Sequence, residues 1–522
     1  MKDKLHRFLS VLNNNFLLIS VLVALFLCTA HCWLYWPGYI QDDSRTTFLL
    51  VKNGWHPVIM AYLTEMMYFL FSEHIYDLFL LTMIPFYVGL WFIVYSAYLK
   101  TKSWMSLLLF FPCFIANIVY AQIRLGSSSF ATSWMVLLYA MTLYAILNLH
   151  TIKKIKTFLI TYVIVFLIAL LGRHNAILQV WPVTLVWIGL YLSKKDFSFM
   201  KYCTHFISFG FLSGIFCIFL FGIINFALVR SDKGDVYPST LIVIHQIVGA
   251  CAPEMDESCF DPQWFNKDWA EDPNRMARLK KKYEQNLIDP EPFVFQNYTN
   301  VPFKHHTDLK GRASKWLYAV TKYPKNYFNH ILRFYKKVWS LPPDTIPSIL
   351  LRRTYTKQGF IVHANFWNPT STREYLERKY LVNLIPDNEF SIKWTKRQQK
   401  TDYFIRTTFP AFHSYWFVAT NFVMFIIACL LLFKERTNKF YVFFFCTSLG
   451  GVVSNILIPF WCPRIFIRYM DPVIFCAVLS IDALFLILYE PAKSAFLRII
   501  NHKRTRKIMS FIKEKMTEDI WP

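Results

Sequence analysis

Residues 16–57 read FLLISVLVALFLCTAHCWLYWPGYIQDDSRTTFLLVKNGWHP, and the fold follows from the change of character near the middle of this stretch. Residues 16–36 form a run of about 20 apolar residues, long enough at ~1.5 Å per residue to cross a hydrocarbon core of ~30 Å. Lys2, Lys4 and Arg7 precede the run and no small-residue cleavage site follows it, so it reads as a retained first membrane helix. Two adjacent carboxylates, Asp42 and Asp43, stand just past it, where lipid meets water. A carboxylate there escapes most of the cost of charge at the bilayer centre, and it can exchange protons with a molecule whose other end lies in lipid. The same Asp-Asp ahead of Ser44 also fits the N-cap of a short helix.

The rest of the chain repeats the apolar pattern. With 522 residues, 55% of them hydrophobic and 19% aromatic, and a mean hydropathy of +0.32, it carries more apolar surface than one soluble domain can bury. Further spanning runs fall at 77–98, 104–120, 130–149, 158–171, 177–192, 205–229, 411–433, 440–461 and 472–488, which with the first makes about ten. The sequence therefore predicts an all-α polytopic membrane protein. Its sections are an N-terminal membrane module (1–229) with a first outer loop (37–76), a soluble domain of mixed structure (230–410), C-terminal membrane helices (411–489) and a basic tail (490–522). The formal charge of +23 resides largely in short loops, the pattern of cytoplasmic loops facing an anionic leaflet, and argues against a nucleic-acid partner.

The sidedness turns on the apolar segment 58–71. Its ~14 residues reach only ~21 Å, and Glu65 interrupts it. If it lies along the outer surface, the downstream inner loops and tail hold nineteen Lys and Arg against four (Arg124, Arg173, Arg464 and Arg468) in the short outer loops. A crossing would invert that balance. The segment is thus expected to be an interfacial helix, with both termini cytoplasmic. Asp42, Asp43, Arg45, His56, Arg124, the cluster Arg173-His174-Asn175, Arg468 and the region 230–410 then share the extracytoplasmic side. His56 before Pro57 reads as a turn residue or a ligand contact, and Arg124, Arg464 and Arg468 as headgroup anchors or ligand contacts. Asp482, inside the last run, is explained by a helix-to-helix hydrogen bond.

The region 230–410 is irregular and aromatic, as in DPQWFNKDWAEDPNR and YPKNYFNHILRFYKKVW. Trp264, Trp269, Trp316, Trp339 and Trp367 are either core or faces on which a sugar ring stacks. The apolar stretch 241–251 is too short to span and is expected to pack beneath the domain. Cys251 and Cys259, eight positions apart, make a plausible local disulfide in an oxidising compartment. His305, His306 and Asp308 stand without a second ligand cluster at metal spacing, which argues against a metal there.

No Walker-type or dinucleotide glycine loop, HExxH or GxSxG is present, and 15 glycines leave little material for a nucleotide cradle. Against that background the motifs QDDSR after the first run, WHPVIMAYL, RHNA at 173–176 and RIFIRYMDP at 464–472 resemble those of class C (GT-C fold) glycosyltransferases. That superfamily includes protein O-mannosyltransferases, the aminoarabinose transferase that modifies lipid A, and O-antigen-modifying glucosyltransferases. The resemblance covers the first ~100 residues closely and the remainder through topology. It implies a bacterial inner-membrane enzyme that takes a polyprenyl-phosphate sugar as donor and a glycan or glycolipid as acceptor, among membrane lipids.

The resemblance then implies a catalytic base at Asp42 or Asp43, with Asp43 favoured because it precedes Ser-Arg as in the family pattern and Asp42 left to orient the acceptor or bind a metal. Arg45, His56, Arg124, Arg173, His174 and Arg468 become donor-phosphate contacts, and Trp264, Trp269 and Trp339 acceptor contacts. Where the lipid A and protein transferases commonly show Asp-Glu and Lys-Pro-Pro, this chain has Asp-Asp and a single His-Pro, which leaves the acceptor open. Some relatives use a divalent metal, and the acidic pair alone leaves a metal cofactor open as well. An O-antigen polymerase or ligase, and a lipid-linked glycan transporter, are the rival readings of the same topology.

Overall fold

The computed structural model describes residues 15–35, 39–40, 58–70, 77–148, 152, 154–228, 238–294, 300–304, 309–341, 354–355, 390–391, 403–404, 407–461 and 470–501. Their chain order in the membrane module begins with α1 (Phe16–Tyr35), β1 (Tyr39–Ile40), α2 (Ile59–Leu70) and α3 (Asp77–Thr101). A 3-10 helix (Trp104–Phe114) and α4 (Ala116–Ile123) follow, then β2 (Arg124–Leu125) and α5 (Ser127–Asn148). The module closes with α6 (Ile155–Leu171), α7 (Ile177–Ser193) and α8 (Phe199–Leu228). A helical region at 238–341 precedes the last three long helices.

Each of the ten apolar runs is helical, but they are not equal. Seven helices, α1, α3, α5, α8 and the last three, are long and apolar enough to cross a membrane. The run at 104–120 is broken: the 3-10 helix and α4 meet at a 66° bend. Ser103 Oγ caps the 3-10 helix by accepting from Met105 N at 3.2 Å, and Pro112 inside it has no N–H to donate. α6 and α7 have 17 residues each, ~25 Å of helix against a ~30 Å core. The protein is thus an all-α polytopic membrane protein with at least seven membrane-length helices among the described residues.

α5 is the hub of the bundle. Most of its side chains are buried, and it packs along α3 and against α6, α7 and the last helix. α8 lies at the periphery, with Phe211 68% and Phe226 85% exposed, as expected of a helix turned to lipid. Two sets of contacts mark the two ends of the bundle. At one, Lys100 Nζ donates to Leu486 O at 2.8 Å and lies 3.3 Å above the Phe440 ring, while Phe199 meets Phe433. At the other, β1 pairs in parallel with β2, the Tyr62 hydroxyl donates to Leu228 O at 3.0 Å, and Asn117 Nδ2 donates to Phe412 O at 3.0 Å. α2 has 12 residues and buries Met60, Ala61 and Thr64, with Val58 buried just ahead of it. As its length predicts, it is too short to cross and is tied to the end of α8.

The helical region contains α9 (Pro238–Cys251), α10 (Arg275–Gln285), α11 (Arg312–Lys322) and α12 (Pro324–Trp339). It has its own core of Ile244, Ile247, Val248, Leu279, Tyr283 and Phe303, with α9 at the centre. The expected mixture of strand and helix is not seen among its described residues. Short helices joined by turns and loops make them up, and the β-structure among them is the bridge Phe265↔Phe303 and a two-residue antiparallel pair, Thr354–Tyr355 with Phe390–Ser391. YPKNYFNHILRFYKKVW looks irregular because charges and aromatics alternate, yet His330, Ile331, Phe334 and Val338 fall on one helical face and are buried together.

The last three helices are α13 (Ser414–Lys434), α14 (Lys439–Trp461) and α15 (Asp471–Asn501). Asn421 Nδ2 joins two of them by donating to Val473 O at 2.7 Å. The helical region docks on the end of α14. Gln246 Nε2 donates to Pro459 O at 3.1 Å, Trp339 Nε1 to Asn455 Oδ1 at 3.1 Å, and the Tyr335 hydroxyl to Ile456 O.

Candidate functional site

The first turn of α5 is where distant predicted residues meet. Gly126 opens the helix by accepting from Phe130 N at 3.0 Å, so the N–H groups of residues 127–129 have no carbonyl within the helix to bond. The helix dipole adds partial positive charge there. Arg173 is buried and donates from Nη1 to Ser128 Oγ, which fixes a guanidinium on the same turn. The segment carrying it is held tightly: Ala176 N bonds Arg173 O at 3.0 Å, and a Cβ on Gly172 would stand 3.0 Å from the Ala131 Cβ. Ser133 Oγ donates to Ser129 O at 2.9 Å and is 2.5 Å from Gln122 Oε1, joining α4 to α5.

Immediately before this turn lies β2, and β2 pairs with β1 in the register Tyr39↔Arg124, Ile40↔Leu125. The sequence QDDSR follows Ile40 directly. Four buried polar atoms on these elements have no hydrogen-bond partner among the described residues: Gln122 Nε2, Ser129 Oγ, Asn175 Oδ1 and Gln179 Oε1. Burying such an atom unbonded costs about 1–3 kcal/mol, so each of the four is a polar group able to take a further partner. Hydroxyls, amides, a guanidinium and free N–H groups together suit an anion that also carries hydroxyl groups.

The predicted residues divide into three groups. Asp42, Asp43, Arg45, His56 and Arg468 lie outside the described residues. Arg124 and Arg173 are brought to one end of the bundle beside the first turn of α5, and His174 rests edge-on against Phe221 of α8 with ring centroids 5.8 Å apart. The tryptophans correct the sequence reading. Trp264 and Trp269 are each 2% exposed, the first donating from Nε1 to Lys310 O at 3.1 Å and the second stacked under the Arg278 guanidinium. Their faces fill the core of the helical region and offer nothing to an acceptor. Trp339 is 37% exposed and sits against α14 instead.

Cys251 and Cys259 are joined by a disulfide, with Cα atoms 6.4 Å apart. His305, His306 and Asp308 lie outside the described residues, and among the described residues no group of three His, Cys, Asp or Glu is placed to hold a metal. Asp482 is buried, and neither carboxylate oxygen has a hydrogen-bond partner among the described residues. The interhelical bond expected of it is not among them.

Sequence reasoning missed Gln122, Ser128 and Ser129, although a Gly-Ser-Ser-Ser run ahead of an apolar run is a helix-start signal. It could not reveal the pairing of β1 with β2, because two residues leave no periodicity to read. The chain matches no family model, no curated protein and no solved structure.

Proposed function

We propose that this polytopic membrane protein is a glycosyltransferase that moves a monosaccharide from a polyprenyl-phosphate donor to a surface glycan or lipid-linked acceptor, such as O-antigen, in a bacterial inner membrane. The observation that carries the reading is the parallel pairing of Tyr39–Ile40 with Arg124–Leu125. It brings the chain leading into QDDSR beside the first turn of α5, where Ser128 accepts from Arg173. A general base and a phosphate seat at one membrane end are what transfer from a lipid phosphate needs. In this reading the ten runs all cross, 58–71 lies on the outer face, both termini are cytoplasmic, and 230–410 is the extracytoplasmic domain.

Asp43, with Asp42 orienting the acceptor or a divalent metal, takes the proton from an acceptor hydroxyl as that oxygen attacks the anomeric carbon. The bond from that carbon to the phosphate oxygen breaks, and the departing polyprenyl phosphate keeps the electron pair. Arg173 and the first turn of α5 stabilise its charge. Arg45, His56, Arg124, His174 and Arg468 are the further phosphate contacts on this reading.

The test is transfer from polyprenyl-phosphate hexoses and pentoses to lipid-linked glycan by the purified protein. Wild type is expected to form product and Asp43→Asn to form none while remaining in the membrane. Undiminished product from Asp43→Asn refutes the assignment of the base. Loss through Arg173 but not Asp43 favours a polymerase or ligase.

A further inference from the structure

α12 carries three faces where a helix of a soluble domain carries two. His330, Ile331, Phe334 and Val338 are buried in the protein. At about 100° per residue, Phe328, Leu332, Tyr335 and Trp339 fall on a second stripe within ~60° of one another. That stripe is apolar yet open: Phe328 is 61% exposed, and Leu332 and Trp339 are each 37% exposed. Lys325, Arg333, Lys336 and Lys337 occupy the remaining arc, all on the exposed side.

An open apolar stripe on a water-facing helix is unfavourable at about 25 cal/mol per Å². Here the stripe does not end in water. At its C-terminal end, Tyr335 bonds Ile456 O and Trp339 bonds Asn455 Oδ1, both on α14. The adjoining face of α14 is itself open and apolar, with Ile456 46% and Phe460 37% exposed. α14 is one of the membrane-length helices. The stripe on α12 therefore continues a lipid-facing surface past the end of a membrane helix, with Tyr and Trp at the junction and cations alongside. Tyr and Trp favour the depth of the headgroups, and lysines beside them meet lipid phosphates.

We infer that α12 lies in the headgroup layer at that end of the bundle, with Phe328 and Leu332 in the acyl region and Lys325 and Lys336 on anionic phospholipid headgroups. The helical region is then seated on the membrane by two contacts: its hydrogen bonds to α14 and this stripe. The inference is independent of the proposed transfer reaction.

The test uses the full chain in nanodiscs of phosphatidylethanolamine and phosphatidylglycerol, with the photo-reactive residue p-benzoylphenylalanine replacing Phe328 in one sample and Lys337 in another. Irradiation is expected to give lipid adducts at 328 and few at 337. Phosphatidylglycerol should exceed its share of the bilayer among those adducts by about twofold or more. The double change Lys325→Gln and Lys336→Gln should remove that enrichment while leaving the adducts. A crosslink from 328 to another part of the chain or to a second copy overturns the inference, as does equal lipid labelling at the two positions. Enrichment that survives the double change overturns the assignment of the two lysines.

Discussion

Acidification should loosen the helical region through a pair of buried histidines. His245 on α9 and His330 on α12 are 4% and 3% exposed, and their rings meet edge-on with centroids 4.7 Å apart. His245 Nε2 lies 3.3 Å from Asn286 O, and His330 Nδ1 lies 3.0 Å from the Tyr283 hydroxyl. Burial pushes His245 down to about 4, more than the Asn286 carbonyl and Asp289 raise it. Burial also pushes His330 down, with His245 and Arg333 adding to the effect.

Because the folded pKa lies below the unfolded one, the opened state takes up the proton first as pH falls. The contribution of His245 is therefore complete above pH ~6.5, declines through the window from ~6.5 to ~4, and is gone below it. For a drop from ~6.5 to about 4 its full size is about 3 kcal/mol, of which roughly 2 kcal/mol is lost by pH 5. His330 acts in the same direction. Asp256, whose carboxyl is raised by burial but held low on balance by Lys322, Ser258 and Tyr323, gives a stabilisation that is complete above about pH 4 and lost only below it, which leaves this window clear.

Hydrogen exchange on the full chain in detergent reads the effect. After correction for the intrinsic rate, the core amides of α9 and α12 should exchange about thirtyfold faster at pH 5 than at pH 7. His245→Asn should reduce that dependence and leave the share that His330 contributes. Exchange that is equal at the two pH values, or slower at pH 5, refutes the reasoning.

Three further perturbations test other contacts. In Gly249→Ala the new Cβ would stand 2.5 Å from the His330 ring, so this region should lose about 1–3 kcal/mol in thermal unfolding followed by tryptophan fluorescence. Replacing Cys251 and Cys259 together by Ser opens a short loop and should lower the same transition by about 2–4 kcal/mol, with no change in the exchange of α5 amides. Arg173→Lys keeps the charge but not the planar fork, and should weaken binding of polyprenyl phosphate by about tenfold without altering the yield of folded protein.

Membrane class and the places of the helices could be read from the sequence, because so many apolar runs, of 14 to 25 residues each, leave few other structures. Their inequality was less visible: hydropathy does not show that Pro112 and the extended Ile115 bend the run at 104–120. That 58–71 forms only a short helix was legible from its length. Within the candidate site, Arg173 stood out because it ends a short apolar run and is followed by His174 and Asn175. Ser128, Ser129 and Gln122 did not, since polar neutral residues are common at helix starts and only burial without a bond gives them meaning. Trp264 and Trp269 were ambiguous in sequence, as an aromatic face serves a core and a sugar equally well. Burial decided for the core.

In the proposed reaction a carboxylate following Ile40 and the Arg173 turn serve one sugar transfer. Mass spectrometry of surface glycans from cells carrying the wild-type gene, the Asp43→Asn variant, or neither tests it most directly. The proposed reaction predicts a mass increment of one monosaccharide with the wild type alone. The same increment with Asp43→Asn, or identical glycans in all three strains, would contradict it.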